Sequence, residues 1–460
     1  MYRPQPLDAR LAAVLPDRSL FAVGGRVRDE LRAEIEHVDL PAVDSDYVVV
    51  GLPLSDLIAR LSPLGRVDVV GASFSVLKVT IDGQTVDVAT PRRERSVGIG
   101  HRDFEIRSGP DVTLEQDLGR RDFRMNMLAR ALPSGELVDP YDGEADIRAK
   151  RIDILTAQAF REDPLRMLRA AQFAARLEYS VTQQVREAMR AAAPLVRTVS
   201  AERVQDELTK LLAKASKPSV GLILLQETRV LAELWPELLE GVDVEQNEWH
   251  AYDVWRHALA TADAARAGDL VLRLAALLHD VGKPRTKDGP HFYRHEIVGA
   301  EMAAAMLERF RFPHETAKAT EHLVRHHMYS ADPGLSEAGL RRFIRRVEPQ
   351  NIEHLFDLRH ADIAGSGLAK RDGSNEAFEA RVREELARKP AFSIRELAVG
   401  GDDVIAALVR RGNAQAGFRG DERVGEALRW LFEQVTDEPE RNERTLLLRI
   451  LEQYLDAVES

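Results

Sequence analysis

Asp44 and Asp46 stand two residues apart at the head of an apolar run, Asp44-Ser45-Asp46-Tyr47-Val48-Val49-Val50. In a strand, residues i and i+2 point to one face, so both carboxylates would share a side. Two same-side carboxylates can cradle two divalent cations, the arrangement that serves in-line displacement at phosphorus. Asp87, in the later run Thr85-Val86-Asp87-Val88-Ala89, is a third acid for the same site. Upstream, Gly24-Gly25-Arg26-Val27-Arg28-Asp29 reads as a strand-to-helix turn with two glycines. Such a turn lets backbone approach a phosphate and presents free N–H groups to an anion, and Arg28 adds a bidentate donor. Leu118-Gly119-Arg120-Arg121-Asp122-Phe123-Arg124-Met125-Asn126 and Asp139-Pro140-Tyr141-Asp142-Gly143 follow. Next comes Arg161-Glu162-Asp163-Pro164-Leu165-Arg166-Met167-Leu168-Arg169, in which Asp163, Arg166 and Arg169 recur at helical spacing. An aspartate accepts from an exocyclic amine and an arginine donates to ring nitrogens and carbonyls, so such a pair reads a base edge without a template. Each segment alone has an ordinary reading as a turn, a solvated acidic loop or a salt-bridged helix face. Their conjunction selects phosphate chemistry.

A second constellation lies downstream. His257 follows Asp253 by one helical turn, and then come Leu277-Leu278-His279-Asp280-Val281-Gly282-Lys283-Pro284, His295-Glu296, His326-His327 and His360-Ala361-Asp362. Imidazole and carboxylate donors suit Mg, Mn, Fe, Co or Ni, and the absence of cysteine removes thiolate-ligated zinc and iron–sulfur sites, together with disulfides and thiol catalysis.

The first set of motifs, in this order and spacing, resembles the class II tRNA nucleotidyltransferases, the family of CCA-adding enzymes and bacterial poly(A) polymerases. The resemblance runs from residue 20 to 240. It implies template-independent addition to the tRNA 3′ end from CTP and ATP, with Mg²⁺ on Asp44 and Asp46. It further implies that Gly24, Gly25, Arg28 and Arg121 hold the triphosphate, with Asp122 and Asn126 in the nucleotide-binding set. Asp163 and Arg166 would read the base, with Arg169 nearby. Two departures stand out. Where the family usually continues with Thr-Ile-Asn-Ala, this chain has Arg124-Met125-Asn126-Met127, and Gln172 stands where another arginine is common.

Residues 245 to 370 resemble the HD phosphohydrolase superfamily. That resemblance implies one metal on His257, His279, Asp280 and Asp362, and a second divalent metal (Mn, Ni, Co or Mg) served by His295 and His326. An HD domain after such a head resembles the multifunctional CCA enzymes, whose HD domain is associated with phosphatase and 2′,3′-cyclic phosphodiesterase activity. Alternatives within the class are CC-only, A-only or poly(A) addition. The rival of another class is an HD phosphohydrolase whose head only holds RNA.

The elements that must position these residues fall into two kinds. Up to about residue 150, short apolar runs alternate with turns. Val76–Ile81 and Thr85–Ala89 flank Asp82-Gly83, a hairpin signal, and residues 26–37 read as a helix. Beyond 150 the strand signals stop, and 164–179, 384–397 and 442–458 carry helical apolar spacing. The expectation is an α+β chain in four parts: a polymerase-beta-like nucleotidyltransferase head (1–150), a helical recognition body (151–240), an HD domain (241–370) and a helical tail (371–460). At 460 residues, 30% charged and 44% hydrophobic, the chain has ample material for several cores. No run of eighteen apolar residues occurs, and the first ten residues lack a basic-then-apolar pattern, so a cytoplasmic protein without membrane contact is expected. A net charge of −11 argues against bulk electrostatic binding of nucleic acid, and residues 88–176 carry sixteen Arg and Lys against fifteen Asp and Glu. Lys210, Lys214, Lys217, Arg410 and Arg411 are the candidates for phosphate contacts along an acceptor stem.

Overall fold

The computed structural model describes residues 4–38, 45–70, 76–96, 104–246, 251–368, 373–415 and 417–459, so Asp44 lies outside the described residues. The chain divides into two compact units. One comprises Met1–Val242 with Ala267–Leu270 and Met306–Phe312; the other comprises Asp243–Arg266, Val271–Ala305 and Pro313–Ser460.

The first unit begins with α1 (Pro6–Val14), β1 (Leu20–Val23), α2 (Gly25–Glu36), β2 (Asp46–Val49), α3 (Leu54–Leu61), β3 (Arg66–Val70), β4 (Val76–Ile81) and β5 (Gln84–Ala89). It continues with the hairpin β6 (Arg92–Ser96) and β7 (Phe104–Ser108), then α4 (Leu114–Gly119), β8 (Ala129–Ala131), β9 (Leu137–Val138) and α5 (Gly143–Arg148). Seven strands form one sheet in the order β3-β4-β5-β2-β1-β8-β9. Every pairing in it is antiparallel except β2 with β5, which is parallel. The expected hairpin is present, with Ile81 opposite Gln84 and both Asp82 and Gly83 at positive φ, as a two-residue turn matching strand twist requires. Alternation along β4 and β5 buries Leu77, Val79, Ile81, Val86 and Val88 on the core face, leaving Asp87 half-buried on the other.

The helical body follows as α6 (Ala159–Glu162), α7 (Leu165–Leu177), α8 (Gln183–Ala192), α9 (Ala201–Lys214), α10 (Pro218–Glu227), α11 (Val230–Leu234) and α12 (Pro236–Leu239). Strand structure does not stop at 150. The two-residue strands Arg151–Ile152 and Ser180–Val181 pair in parallel and pin the base of α7. Such segments are too short to leave a periodic signal.

The second unit contains α13 (Val254–Ala264), most of α14 (Leu270–Leu278) and of α15 (His295–Arg309), α16 (His314–His326), α17 (Glu337–Val347), α18 (Ile352–Gly365) and α19 (Ser374–Ala387). The tail supplies α20 (Gly401–Arg410), α21 (Glu422–Asp437) and α22 (Arg444–Glu459). Among the described residues, this unit has an apolar core around Tyr329, Phe343, Phe356 and Phe378 and another around Leu408, Leu431, Leu447 and Leu451. The helical spacing of 384–397 does not become one helix: 384–387 complete α19, and beyond the break only a short 3-10 turn, Ile394–Glu396, follows. Lys389 takes a positive φ ahead of Pro390, which has no N–H to continue the ladder, and α19 ends at Ala387. No described helix is long and apolar enough to cross a membrane.

Candidate functional site

In the first unit, the central strands deliver the acids. Asp46 opens β2 and is exposed; its register partner across the parallel ladder is Asp87. Register partners on neighbouring strands project to one face, so these two carboxylates stand side by side. On the other flank of β2, Val23 ends β1 opposite Asp46 and the chain turns through Gly24 into α2. Gly24 adopts φ +70°, which favours glycine at this turn, and a Cβ there would lie 2.8 Å from Arg121 Nη1, so a larger residue would also make the guanidinium shift.

A cavity of about 720 Å³ opens beside this turn. Its lining brings together Gly24, Gly25, Arg28, Asp46, Arg121, Asp122, Asn126, Asp163, Arg166 and Arg169, which are the sequence-derived candidates, and adds Arg32, Arg92, Arg120, Arg176, Arg203 and Lys210. Ten cationic side chains thus face four aspartates, counting Asp29. Folding concentrates positive charge that the near-neutral linear count of 88–176 conceals, because α2 and α9 contribute from outside that window.

The cleft is held by paired charges. Arg28 donates through Nε and Nη2 to both oxygens of Asp29 at 2.8 Å, and through Nη1 to Asn126 Oδ1 at 2.8 Å. Asn126 Nδ2 in turn donates to Asp122 Oδ1 at 2.9 Å, and Arg169 donates to Asp122 Oδ2 from Nε at 2.8 Å. Burial would raise the Asp122 carboxyl, but the charge of Arg169, the hydrogen bonds from Asn126 and Arg169, and the charge of Arg166 bring it down to about 2. Arg28 and Arg169 both lie over the Phe173 ring, at 5.0 and 5.3 Å from its centroid. Asp163 Oδ1 accepts from the Leu165 N–H at 3.2 Å, and Arg166 Nη2 donates to the Arg120 carbonyl at 2.6 Å. Gln172 is buried on this wall, and its Oε1 has no hydrogen-bond partner.

Three supports escaped the sequence reading. Asp8, buried on α1, receives both Arg26 Nη atoms at 2.8 and 2.6 Å and the Tyr47 hydroxyl at 2.8 Å. Gln5 accepts from the Ser45 hydroxyl at 2.7 Å, so α1 clamps the segment that carries Asp46. Asp117, fully buried, accepts from Arg120 at 2.8 Å and lies 3.3 Å from Arg121, which fixes the arginine beneath the glycine turn. Arg203 reaches Asp163 from α9. Separately, Asp139 caps α5 at the Gly143 and Glu144 N–H groups, so the Asp-Pro-Tyr-Asp-Gly motif is structural.

The second unit holds the histidines. His257 rises from α13, whose N-cap is Asp253; His279 and Asp280 follow α14; His295 opens α15. A Cβ on Gly282 would sit 2.4 Å from the His295 carbonyl, so this glycine allows the His279–Lys283 turn to lie against α15. His257 Nε2 lies 3.0 Å from Asp362 Oδ1 and 3.1 Å from His279 Nε2. Asp280 spans two triads: Oδ2 is 3.2 Å from His279 Nε2, and Oδ1 is 3.3 Å from His295 Nε2 and 3.6 Å from His327 Nε2. His257–His279–Asp280 and Asp280–His295–His327 both have the closeness a metal ion requires. Each ring's Nδ1 faces a backbone carbonyl: Gly365 at 3.2 Å, Ala276 at 2.9 Å, Phe292 at 2.7 Å and Val324 at 2.7 Å. An Nδ1–H donated outward leaves the Nε2 lone pair facing the cluster, the tautomer a metal ligand needs.

His326 is not the second-triad member; His327 is. The one-residue shift turns the ring by a helical step, and His326 instead packs beside His322 with centroids 4.5 Å apart. Burial and the charges of His322, Arg346 and Arg325 lower it to about 4. Burial would raise Asp280, but His279 and Lys283 hold it far below the usual carboxylate range. Lys283 Nζ lies 2.6 Å from Asp280 Oδ2, and Arg359 sits 4.5 Å over the Tyr329 ring while donating to its carbonyl. Both cations line the cavity of about 410 Å³ in front of the cluster, with Phe292 and Met328.

The remaining basic candidates divide. Lys210 lines the first cavity and is paired with Asp206 and Glu207. Lys217 lies beyond α9 and so shares no face with Lys210 and Lys214. Arg410 and Arg411 are bound to Glu452 within the tail.

Residues 20–153 match the family described as the poly A polymerase head domain, 178–241 the probable RNA and SrmB-binding site of polymerase A, and 249–364 the HD domain. The multifunctional CCA protein of Aromatoleum aromaticum is 35% identical over 367 residues, covering 76% of this chain and 86% of the relative. That of Burkholderia orbicola is 36% identical over 424 residues, 86% of this chain and 98% of the relative. The fold is similar to that of the Bacillus stearothermophilus CCA-adding enzyme solved in complex with CTP, with a TM-score of 0.70, 23% identity and 99% of both chains covered.

Proposed function

The chain belongs to the family of multifunctional CCA proteins, and we propose that it is a template-independent tRNA nucleotidyltransferase that builds or repairs the 3′-terminal CCA from CTP and ATP. The observation that carries this reading is the head cleft, where an acid, a glycine turn with flanking arginines, and the Asp163/Arg166 pair line one cavity. A nucleoside triphosphate needs those three things at once.

In this reading Asp44, Asp46 and Asp87 hold Mg²⁺, for which carboxylates side by side on adjacent strands are a fitting donor set. Bound there, Mg²⁺ would supply charge neutralisation and Lewis acidity for the transfer. The tRNA 3′-hydroxyl oxygen bonds to the α-phosphorus while the bond to the β-phosphate oxygen breaks and pyrophosphate leaves. Gly24 and Gly25 admit the phosphates to the N-terminus of α2, and Arg28 and Arg121 offset the charge that the leaving group acquires. Asp163 accepts from the exocyclic amine of cytosine or adenine, and Arg166 donates to the neighbouring ring atoms. Asp122, Asn126 and Arg169 keep that wall in register.

The histidine cluster is read as a phosphoesterase centre for Mg, Mn, Ni or Co, acting on RNA phosphomonoesters or 2′,3′-cyclic phosphates. His257, His279, Asp280 and Asp362 would hold one cation, and Asp280, His295 and His327 a second. A cation held there would supply Lewis acidity for making a nucleophile near neutral pH. Lys283 and Arg359 are placed on the cavity wall to receive the phosphate. The expected compartment is the cytoplasm, where tRNA and nucleotides are available.

The test is stepwise addition. tRNA transcripts lacking the last one, two or three nucleotides are incubated with each nucleoside triphosphate separately. C, C and A should be added in order, with one pyrophosphate released per step. Absence of any extension, alongside cleavage of cyclic phosphates, would replace this reading with that of a hydrolase carrying an RNA-holding head.

A further inference from the structure

The acid strand and the glycine turn of the head are fastened to one buried carboxylate. Asp46 is exposed, whereas Ser45 and Tyr47 on either side of it are buried, so they hold the strand from its rear. The β1–β2 ladder ends where Val23 faces Asp46, and past that point β1 gives way to the turn into α2. Arg26, the second residue of α2, bridges the two. Its Nη1 donates to the Tyr47 hydroxyl at 3.2 Å and lies 3.4 Å from the Ser45 hydroxyl, and its Nε donates to Glu30 at 2.8 Å. Asp8 accepts both Nη atoms as a fork at 2.8 and 2.6 Å, and the Tyr47 hydroxyl donates to its Oδ1 at 2.8 Å. Asp8, Arg26 and Tyr47 are each at most 3% exposed. Burial would raise the Asp8 carboxyl, but hydrogen bonds from Arg26, Gln5 and Tyr47 hold it below its ordinary value, so it stays ionised.

We propose that Asp8 is a positioning residue for nucleotidyl transfer, locking the strand that carries Asp46 to the turn at the start of α2 so that cation and phosphates keep one spacing. The inference rests on the reading of Asp46 as a Mg²⁺ ligand and of the glycine turn as the phosphate site. In-line displacement needs the cations to bridge the acids and the phosphates, so the two elements must be set against each other as well as correctly built. A misplacement of about 1 Å can cost roughly 100-fold in rate. Backbone pairing between β1 and β2 stops at the edge of the site, and the Asp8 fork carries the restraint on from there. Tyr47 transmits it to the acid strand and Arg26 to the turn, so the two arms can be cut separately.

The experiment measures three quantities in the full chain: the half-saturating Mg²⁺ for CMP addition to tRNA transcripts, the KM for tRNA, and CTP affinity by calorimetry with all metal chelated. Tyr47→Phe removes only the hydroxyl that ties the strand to Asp8 and Arg26. It should raise the half-saturating Mg²⁺ by about 3-fold to 10-fold, the worth of one hydrogen bond, with metal-free CTP binding and the KM for tRNA unchanged. Asp8→Asn withdraws the charge and half the fork, releasing both arms. It should raise the Mg²⁺ requirement by about 10-fold or more and weaken metal-free CTP binding as well. Tyr47→Phe carries the test alone if Asp8→Asn does not fold, and the metal content of the histidine cluster serves as the check on folding. An unchanged Mg²⁺ requirement in folded Tyr47→Phe, with only thermal stability or kcat reduced, overturns the proposal. A wild-type chain that adds no nucleotide at any Mg²⁺ concentration overturns the underlying reading instead.

Discussion

The head cleft and the histidine cluster, to both of which phosphate chemistry is assigned in the proposal above, are finished to different degrees. In the cluster, four rings have their outer nitrogens engaged by backbone carbonyls, and Asp280 and all four histidines are buried. In the cleft, Asp46 is exposed at a strand end, and the arginines are held by aspartates that a triphosphate must compete with. A buried donor set fixes its geometry before the ligand arrives. An open cleft lined by ion pairs lets the ligand complete it, which suits a site that must accept two bases and a growing strand in turn.

That contrast can be broken most severely at the acids. Asp46→Ala should lower nucleotide incorporation by about 10³-fold or more while leaving the metal content of the histidine cluster unchanged, read by primer extension and elemental analysis on the same sample. Asp280→Asn should do the reverse. Because one carboxylate spans both triads, bound metal and phosphoesterase turnover should fall together, by roughly 100-fold, with CMP addition intact. His327→Ala should weaken metal binding by about 10-fold or more in a chelator competition, whereas His326→Ala should not; equal effects would return His326 to the cluster.

The smallest effect is a dependence on pH. The pairing with Arg169 and Asn126 pulls the Asp122 carboxyl down to about 2 in the folded chain, below the usual carboxylate range, so its stabilisation is present above the unfolded value and is lost as pH falls through the folded one. The stability gap between wild type and Asp122→Asn should therefore include about 2 kcal/mol at pH 6 that disappears between pH 4 and 2, measured by denaturant unfolding. A gap independent of pH would show that the Arg169 pairing contributes nothing through charge.

What the sequence disclosed follows from how local each feature is. The Asp82-Gly83 hairpin, the glycine turn into α2 and the His279-Asp280 pair are short-range patterns, and each appears where the residues suggest. Asp8 left no trace, because its meaning depends on Arg26 and Tyr47, brought to it only by the sheet. The basic cleft was hidden for the same reason: its charge is summed from elements that are distant in the chain. His326 and His327 are adjacent letters, and only the end of α16 decides which ring turns inward.

The ladder joining β2 to β5 has one further consequence. Asp46 and Asp87 become neighbours only when a forty-residue excursion closes into a parallel pairing, the one such pairing among the described strands of that sheet. Non-local parallel pairing is slow to form. On refolding, the ability to lengthen RNA should return no sooner than that pairing closes, and its lag behind helix formation would time the closure of the central sheet.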